Sequence, residues 1–278
     1  MTGPLTGKVA VITGAGRRGG LGEAIAKALA ADGAAVVLSD IGRSVDSSTP
    51  ESMIGASAEM SAIACELRAA GNAISTFACD VRRWDEMRAL ADHAVLVHGS
   101  LDIWVNNAGI GYLMKPFLEV SPEDWGAVID VNLTGAFFGM KAAAMAMVAA
   151  GKGGRIINIA SQAAKSGFPC AQAYTASKHG LVGLVRSAAI ELGQFGITVN
   201  NVCPNHVTTG LGAWQNEYFA ERQGKSVQQY LSEMAARIPL GRPGQPEDTA
   251  KAVAFLCSPG ADYITAESMN VSGGEEPH

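Results

Sequence analysis

The sequence predicts an α/β fold in which a doubly wound parallel sheet of about seven strands carries helices on both faces. Short apolar runs rich in β-branched residues alternate with longer Ala-rich runs of helical periodicity. The short runs show little polar alternation, which is typical of strands that are buried on both faces of a parallel sheet. The regular succession of the two kinds of run indicates β-α-β units with right-handed crossovers.

The strands are expected at the short apolar runs, and the helices fill the intervals between them. The predicted strands are residues 9–13, 35–39, 74–78, 103–105, 155–160, 198–202 and 268–271. The predicted helices are residues 21–32, 56–70, 85–97, 122–150, 173–194 and 246–257. No segment has the composition of a linker, so we expect residues 1–278 to form a single domain.

Two segments interrupt this alternation. Residues 42–55 are rich in Ser and include a Thr49-Pro50 pair, which predicts a long surface loop. Residues 208–237 carry several aromatic side chains at partly helical spacing. This second segment is either a lid over a pocket or an amphipathic excursion packed on the body of the domain, and the pattern fits both.

The composition and charge argue against several function classes. The net charge is −5, and there is no basic block of the kind that neutralises nucleic-acid phosphates. The five cysteines are odd in number and widely spaced, which predicts small core residues in a reducing compartment rather than disulfides or a zinc site. The sequence shows neither a signal-peptide pattern nor an apolar run of membrane-spanning length. We therefore expect a soluble cytoplasmic protein that holds no metal ion.

A glycine-rich turn follows the first predicted strand. The run TGAGRRGGLG occupies residues 13–22 and leads directly into a predicted helix. Glycines let the backbone approach a pyrophosphate, and the free N–H groups at the start of a helix attract it. The turn therefore predicts a Rossmann-like dinucleotide site whose phosphate end includes Gly14, Gly20, Leu21 and Gly22.

Asp40 comes at the end of the second predicted strand. A carboxylate at this place accepts hydrogen bonds from the adenosine ribose and repels a 2′-phosphate, which favours NAD over NADP. Arg17, Arg18 and Arg43 lie near the same end and would attract such a phosphate, so an NADP-dependent carbonyl reductase is the alternative. Asp40 is the stronger indicator of the preferred cofactor because its position at a strand end is fixed, whereas the arginines lie on loops.

Four polar residues suggest acid–base chemistry. Tyr174 and Lys178 lie one turn apart on a predicted helix and share a face. The pKa of free tyrosine is about 10, and a nearby ammonium together with a positive nicotinamide ring would lower it. Ser161 follows a predicted strand, where its hydroxyl would hold a substrate oxygen or cap a helix. Asn132 lies inside a long predicted helix, where Asn has poor propensity, which indicates a kink or a functional side chain.

Taken in order, these residues match a known family. From Lys8 to Gly274 the chain resembles the single-domain short-chain dehydrogenases/reductases. The glycine-rich turn is two residues longer than is usual in that family, and Asn205 stands where the family usually has Gly. The matching markers are the turn at residues 13–22, Asp80-Val81, NNAG at residues 106–109, Asn132, Ser161, Tyr174 with Lys178, and Pro204 with Val207 and Thr209.

The resemblance implies that the chain is a homotetrameric oxidoreductase that moves a hydride between NAD(H) and a secondary alcohol or its ketone. A non-catalytic dinucleotide sensor is the alternative from a different class, because the fold alone does not imply turnover. By the resemblance, Tyr174 would be the general acid and base, and Lys178 would lower the pKa of Tyr174 and bind the nicotinamide ribose. Ser161 would hold the substrate oxygen. Asn132 would hold a water molecule in a proton relay. The adenine ring would contact Asp80 and Val81. The adenosine-ribose side would be lined by Asn107, Ala108 and Gly109. The carboxamide of the nicotinamide would meet Val207 and Thr209.

The substrate side is expected to be formed by Phe168, His206 and Trp214 together with Ser161 and Tyr174. The neighbouring residues are mostly apolar or aromatic, which favours a cyclic, aromatic or otherwise carbon-rich alcohol. The segment from residue 214 to residue 234 also resembles that of family members that act on polyols. Both substrate classes therefore remain open from the sequence.

Overall fold

The computed structural model describes residues 3–43 and 54–275. The described residues form a seven-stranded sheet in the order β3-β2-β1-β4-β5-β6-β7, and all neighbouring strands pair in parallel. This topology confirms the predicted doubly wound fold. The strands are β1 (Val9–Thr13), β2 (Ala35–Asp40), β3 (Ile74–Ala78), β4 (Ile103–Asn106), β5 (Gly154–Ile159), β6 (Ile197–Pro204) and β7 (Ser268–Val271).

The helices cover both faces of this sheet. They are α1 (Leu21–Ala31), α2 (Ser57–Ala69), α3 (Trp84–His98), α4 (Pro122–Ile129), α5 (Gly135–Ala150), α6 (Gln172–Leu192), α7 (Gly210–Arg222), α8 (Val227–Arg237) and α9 (Pro246–Cys257). The predicted boundaries of α1, α2, α3, α6 and α9 agree with these to within two residues. Helices α7 and α8 lie in the segment at residues 208–237, for which no helix boundaries were predicted, and the helix predicted over residues 122–150 is divided. That stretch is helical throughout, but a π-helical segment at Asp130–Thr134 separates α4 from α5.

The two-residue period of the strands divides the core into two layers. In β1, Ala10 and Ile12 pack into the layer formed by α1, α2 and α9. Val9 and Val11 point the other way, into the layer formed by α3, α5 and α6. All residues of β1 are buried, as expected for a central parallel strand, whereas the edge strand β3 is only partly buried.

A buried hydrogen-bond chain joins β4 to β5 beneath α5. The indole of Trp104 donates to Oδ1 of Asn106 at 2.7 Å, and Nδ2 of Asn106 donates to Oδ1 of Asn158 at 2.8 Å. Gly139 of α5 lies directly over this chain: an added Cβ would come within 2.1 Å of Asn106 Oδ1. The absence of a side chain at Gly139 therefore lets α5 approach the sheet.

The two segments that interrupt the alternation are described by the structure to different extents. Most of the predicted loop over residues 42–55 lies outside the described residues. At its ends, Gly42 and Ala56 form an isolated parallel bridge. Residues 208–237 contain α7 and α8, which share a small apolar core of Ala220, Tyr230 and Met234.

The cysteines and the long apolar helix differ in part from expectation. All five cysteines are free, and four are buried as predicted, but Cys65 is exposed on α2. In the described part of the chain, one helical stretch, Pro122–Ala150, is by length and composition apolar enough to cross a membrane, so the expectation that no apolar run reaches this length is wrong. Its inner side packs in the core through Met140 and Met147, as in the core helix of a soluble protein.

Replacement of Gly139 by alanine should destabilise the fold. The added methyl group would collide with Asn106 and Trp104, and overpacking of this kind costs about 1–3 kcal/mol. Gly126 of α4 is the matched control, because an added Cβ there meets nothing within 4 Å and alanine improves helix propensity by up to about 1 kcal/mol. Urea unfolding of Gly139→Ala and Gly126→Ala measures both effects, and equal free energies of unfolding would contradict the proposed close approach.

Candidate active site

The carboxyl ends of β1, β4, β5 and β6 meet at one edge of the sheet, where two cavities adjoin. The larger cavity is about 420 Å³ in volume and the smaller about 210 Å³. The residues shared by both linings are Leu21, Asn107, Gly109, Thr209 and Leu211. Ligands of doubly wound folds bind at this edge, so the cavities form the candidate site.

Three of the predicted catalytic side chains line the larger cavity. Tyr174 and Lys178 lie on α6, and Ser161 follows β5. The Lys178 ammonium is buried, donates to the carbonyl oxygen of Ile159 at 2.8 Å, and lies 5.6 Å from the centroid of the Tyr174 ring. The Ser161 hydroxyl lies near the Tyr174 phenol, and it accepts from the backbone N–H of Ala163 at 3.1 Å. Of the two roles considered from the sequence, Ser161 therefore has that of a cap on a short helical turn, and its role toward a substrate oxygen stays a prediction.

Burial dominates the electrostatics of this group. Desolvation raises the pKa of Tyr174, although the nearby Ser161 hydroxyl acts to lower it. The same desolvation lowers the pKa of Lys178 to about 8. In the protein without cofactor, the pKa of Tyr174 is therefore raised. The lowering predicted from the sequence depended on Lys178 and a positive nicotinamide ring acting together.

Asn132, the fourth predicted catalytic residue, is buried in the π-helical segment between α4 and α5. Its Oδ1 accepts from the N–H of Ile110 at 2.8 Å, and its Nδ2 donates to the carbonyl of Ile110 at 2.9 Å and to the Ser177 hydroxyl at 3.2 Å. The irregularity that Asn132 indicated in the sequence is this π segment, a feature often found at functional sites. Its amide fixes the loop after β4, where Gly109 lies close to Lys178.

The glycine-rich turn runs from β1 to the start of α1, with Gly20 as the N-cap residue and Leu21 as the first helical residue. Gly14 has a φ of +66°, and an added Cβ would lie 2.7 Å from Cα of Ala108. An added Cβ at Gly22 would lie 2.4 Å from the carbonyl oxygen of Gly14. The backbone is thus packed too tightly for side chains at these two positions, and the first turn of α1 faces the cavities.

Asp40 lines the smaller cavity at the end of β2. Its carboxylate accepts from the N–H groups of Gly16 and Ile41, both at 2.8 Å. Burial raises the pKa of Asp40, and the hydrogen bonds from Gly16 and Ile41 act in the opposite direction. The carboxylate is therefore held in place by backbone donors.

The two arginines of the turn lie in different surroundings. The Arg18 guanidinium pairs with Glu66 of α2, and its backbone N–H donates to Glu59. Both arginines line the smaller cavity, and Arg17 packs beside Gly210 at the start of α7. Of these two, Arg17 is the one whose guanidinium crosses between the turn and the segment at residues 208–237.

The remaining predicted cofactor residues surround the smaller cavity or connect it to the larger one. Asp80 and Val81 line the smaller cavity, and the Asp80 carboxylate is paired with the Arg82 guanidinium at 2.8 Å. Asn107 donates to the carbonyl oxygens of Thr13 and Gly14, both at 2.9 Å, which ties the ends of β1 and β4 together. Ala108 and Gly109 also line the smaller cavity, and Val207 and Thr209 line the larger one.

The predicted substrate residues separate into two groups. Phe168 and His206 line the larger cavity, and Phe168 lies 6.5 Å from Tyr174 and 6.0 Å from Phe219 between ring centroids. Trp214 is not among the residues that line this cavity. It stacks on Tyr218 at 5.3 Å and belongs to an apolar cluster behind the wall.

Several residues of the cavity wall were not singled out from the sequence. They come from α7, α8 and the residues after β7, and include Gln215, Met234, Arg237 and Glu275. No local motif marks them, because their contacts with the site depend on how distant segments pack. Among the described residues, no group of three or more His, Cys, Asp or Glu side chains is placed to hold a metal ion.

Comparison with known proteins identifies the family. The family model described as enoyl-(acyl carrier protein) reductase matches residues 14–276. The L-2,3-butanediol dehydrogenase of Corynebacterium glutamicum is 35% identical over 96% of this chain and 98% of its own length. The chain is a short-chain dehydrogenase/reductase.

Two solved structures of this family extend the comparison to the whole fold. An actinorhodin polyketide ketoreductase with NADPH has a TM-score of 0.88 and 36% identity, with 100% of both chains covered. A carveol dehydrogenase from Mycobacterium avium in complex with NAD has a TM-score of 0.90 and 31% identity, with 99% of both chains covered. The chain is thus an oxidoreductase of a family that uses a nicotinamide dinucleotide, and its relatives include alcohol dehydrogenases and ketoreductases.

Proposed function

We propose that this short-chain dehydrogenase/reductase transfers a hydride between NAD(H) and a secondary alcohol or its ketone, with Tyr174 as the general acid and base. The observation that carries the proposal is the meeting of the Tyr174 phenol, the Ser161 hydroxyl and the Lys178 ammonium in one cavity beside the glycine-rich turn. Family relatives that act on alcohols and ketones support the reaction class.

The residues around the two cavities fit a dinucleotide. Gly14 and Gly22 pack where any side chain would collide with backbone, so the turn can lie close to a pyrophosphate at the start of α1. Gly20 and Leu21 would complete the phosphate end. The adenosine half would lie in the smaller cavity against Asp40, Asp80, Val81, Asn107, Ala108 and Gly109. Val207 and Thr209 would meet the nicotinamide half in the larger cavity.

The proposed chemistry divides between the cofactor and the protein. A bound nicotinamide supplies the hydride acceptor in oxidation and the hydride donor in reduction. In oxidation, the Tyr174 phenolate takes the proton of the alcohol while Ser161 donates a hydrogen bond to the substrate oxygen. In reduction, the Tyr174 phenol gives its proton to the forming alkoxide. Lys178 stabilises the phenolate when charged, and Asn132 places the loop beside it and would hold the water of a proton relay.

The charge of Asp40 supports NAD rather than NADP. Its carboxylate is fixed by two backbone donors at the adenosine end of the smaller cavity, where an added 2′-phosphate would meet it. The position of Arg17 on the same cavity supports the NADP alternative, and the ketoreductase neighbour carries NADPH. The pairing of Arg18 with Glu66 turns that guanidinium toward α2. We therefore favour NAD.

The assembly and location of the protein are part of the same proposal. We propose that residues 1–278 form a single catalytic domain with residues 208–237 as the substrate lid, and that four copies form a cytoplasmic homotetramer. Phe137, Met145 and Val148 of α5 are large apolar side chains that are more than a third exposed, and such a helix face is typical of a subunit contact.

Replacement of Tyr174 by phenylalanine tests the central role. The variant loses only the phenol oxygen, so it should bind NADH as the wild type does and lose most of kcat, on the order of a thousandfold. NADH fluorescence measures binding, and a screen of alcohols with NAD at the NADH absorbance band measures turnover. A Tyr174→Phe protein that retains most of kcat would disprove the assignment. A wild-type protein that binds NADH but turns over no alcohol or ketone would instead support the dinucleotide sensor.

Replacement of Asp40 by asparagine tests the choice of cofactor. The wild type should have the higher kcat/KM with NAD, and Asp40→Asn should raise kcat/KM with NADP by about tenfold or more, because the variant lacks the charge that repels a 2′-phosphate. Asp92→Asn on the exposed surface of α3 is the matched control and should leave the NAD/NADP ratio unchanged. A wild-type ratio near one, or no change in Asp40→Asn, would favour the NADP alternative.

The pH dependence should follow the ionisation of Tyr174. A general base must be deprotonated, so kcat/KM for alcohol oxidation should rise with pH by about tenfold per unit until the phenol ionises. Because burial raises the Tyr174 pKa, this rise should extend into the alkaline range. Lys178 is charged below its pKa of about 8, and only there can its ammonium stabilise the phenolate. The ratio of kcat/KM between wild type and Lys178→Met should therefore be largest near pH 7 and fall as the pH rises through 8. A ratio that does not change with pH would contradict the role given to Lys178.

A further inference from the structure

We propose that His206, Arg237 and Glu275, the distal cluster, bind a second hydroxyl group of the substrate. The preferred substrate would then be a carbon-rich alcohol or ketone that carries another hydroxyl far from the reacting carbon. This inference rests on the proposed function, because it places the reacting carbon beside Tyr174. All three residues of the distal cluster line the same cavity as Tyr174 and Ser161.

The distal cluster is assembled from three separate segments. Glu275 follows β7, His206 follows β6, and Arg237 ends α8. The Glu275 carboxylate accepts from Nδ2 of Asn205 at 2.6 Å and from Nε of Arg237 at 3.3 Å. His206 Nε2 lies 3.7 Å from Glu275 Oε2, beyond hydrogen-bond distance. The cluster therefore brings a carboxylate, a guanidinium and an imidazole to one end of the cavity.

The exposure of these groups suits a hydroxyl ligand. The Glu275 side chain is only 14% exposed, so its charge is largely removed from bulk water. An ionised carboxylate has about four lone-pair sites, and the Glu275 carboxylate accepts one hydrogen bond from Asn205 and one from Arg237. A hydroxyl group can donate to the carboxylate and accept from the guanidinium at once. A hydrocarbon group at the same place would cover these charged groups without pairing them, which is unfavourable.

The two ends of the cavity follow different strands of the sheet. Ser161 follows β5 and Glu275 follows β7, and β6 lies between these two strands. Neighbouring strands are about 4.8 Å apart, so the strands that carry the two ends are separated by the full width of β6. The distal cluster is therefore at a different place along the edge of the sheet from the reacting groups.

The cavity also offers carbon surface between its two ends. Phe168, Phe219 and Met234 line it along with Tyr174 and the distal cluster, and Phe168 and Phe219 form an edge-to-face pair. Polar side chains, among them Gln215, line the cavity as well. A ring with a polar group at each end can therefore lie against the aromatic pair while its second hydroxyl reaches the distal cluster.

A pair of matched ketones tests the inference. The wild type with NADH should reduce 4-hydroxycyclohexanone with a kcat/KM at least about tenfold above that for 4-methylcyclohexanone, because a site built to pair a hydroxyl discriminates against its hydrocarbon analogue. In Glu275→Gln and in Arg237→Met the ratio between the two ketones should fall to within about threefold. Glu267→Gln changes an exposed carboxylate just before β7 and should keep the wild-type ratio.

The outcomes separate this inference from the proposed function. Turnover of both ketones with a wild-type ratio near one would overturn the distal cluster as a hydroxyl site and leave the proposed function intact. Equal losses for both ketones in Glu275→Gln and Arg237→Met would show that these residues only hold the wall in place, and would also overturn it. If neither ketone is reduced, the screen of alcohols with NAD decides the proposed function, and the inference fails if that screen finds no substrate. If the screen finds one, calorimetric binding of the two ketones to the NADH complex of Tyr174→Phe decides the inference, and a ratio of dissociation constants below threefold would overturn it.

Discussion

The hydrogen bond from the Lys178 ammonium to the carbonyl of Ile159 organises the site. A buried ammonium without a partner costs several kcal/mol, so this bond at 2.8 Å fixes α6 against the end of β5. Tyr174 lies one helical turn before Lys178, and Ser161 lies two residues after Ile159. The same contact therefore sets the distance between phenol, hydroxyl and ammonium. The position of the reacting groups is a consequence of how one helix meets one strand.

The sequence predicted the fold well because its elements are defined locally. Strands β1, β3 and β7 have the predicted limits, and most helix ends differ by one or two residues, since apolar periodicity and turn residues act over short ranges. The long helix is the exception. The poor helix propensity of Asn132 indicated an irregularity, but its form as a π segment depends on hydrogen bonds to Ile110, which lies on another loop.

The candidate site was predictable to the extent that its residues follow strands. Gly14, Asp40 and Ser161 each come just after or at the end of a strand, and parallel strands bring such residues to one edge. Residues that reach the cavity by long-range packing could not be found in this way. Glu275 contacts Asn205, 70 positions away, and nothing in the local sequence marks either as a partner of the other. The position of Trp214 behind the wall likewise depends on the packing of α7.

The opposite shifts of Tyr174 and Lys178 bear on the proposed chemistry. Burial raises the pKa of the phenol and lowers that of the ammonium to about 8, so the protein alone favours the protonated, neutral tyrosine. Under the proposed function, a positive nicotinamide ring beside Tyr174 would favour the phenolate, and a reduced, neutral ring would not. Tyr174 would then act as a base when the cofactor can accept a hydride and as an acid when it can donate one. Burial works against ionisation of Tyr174 in the protein alone. The same burial makes the ionisation of Tyr174 sensitive to the charge of a bound cofactor, because electrostatic interactions are weakly screened in such a site.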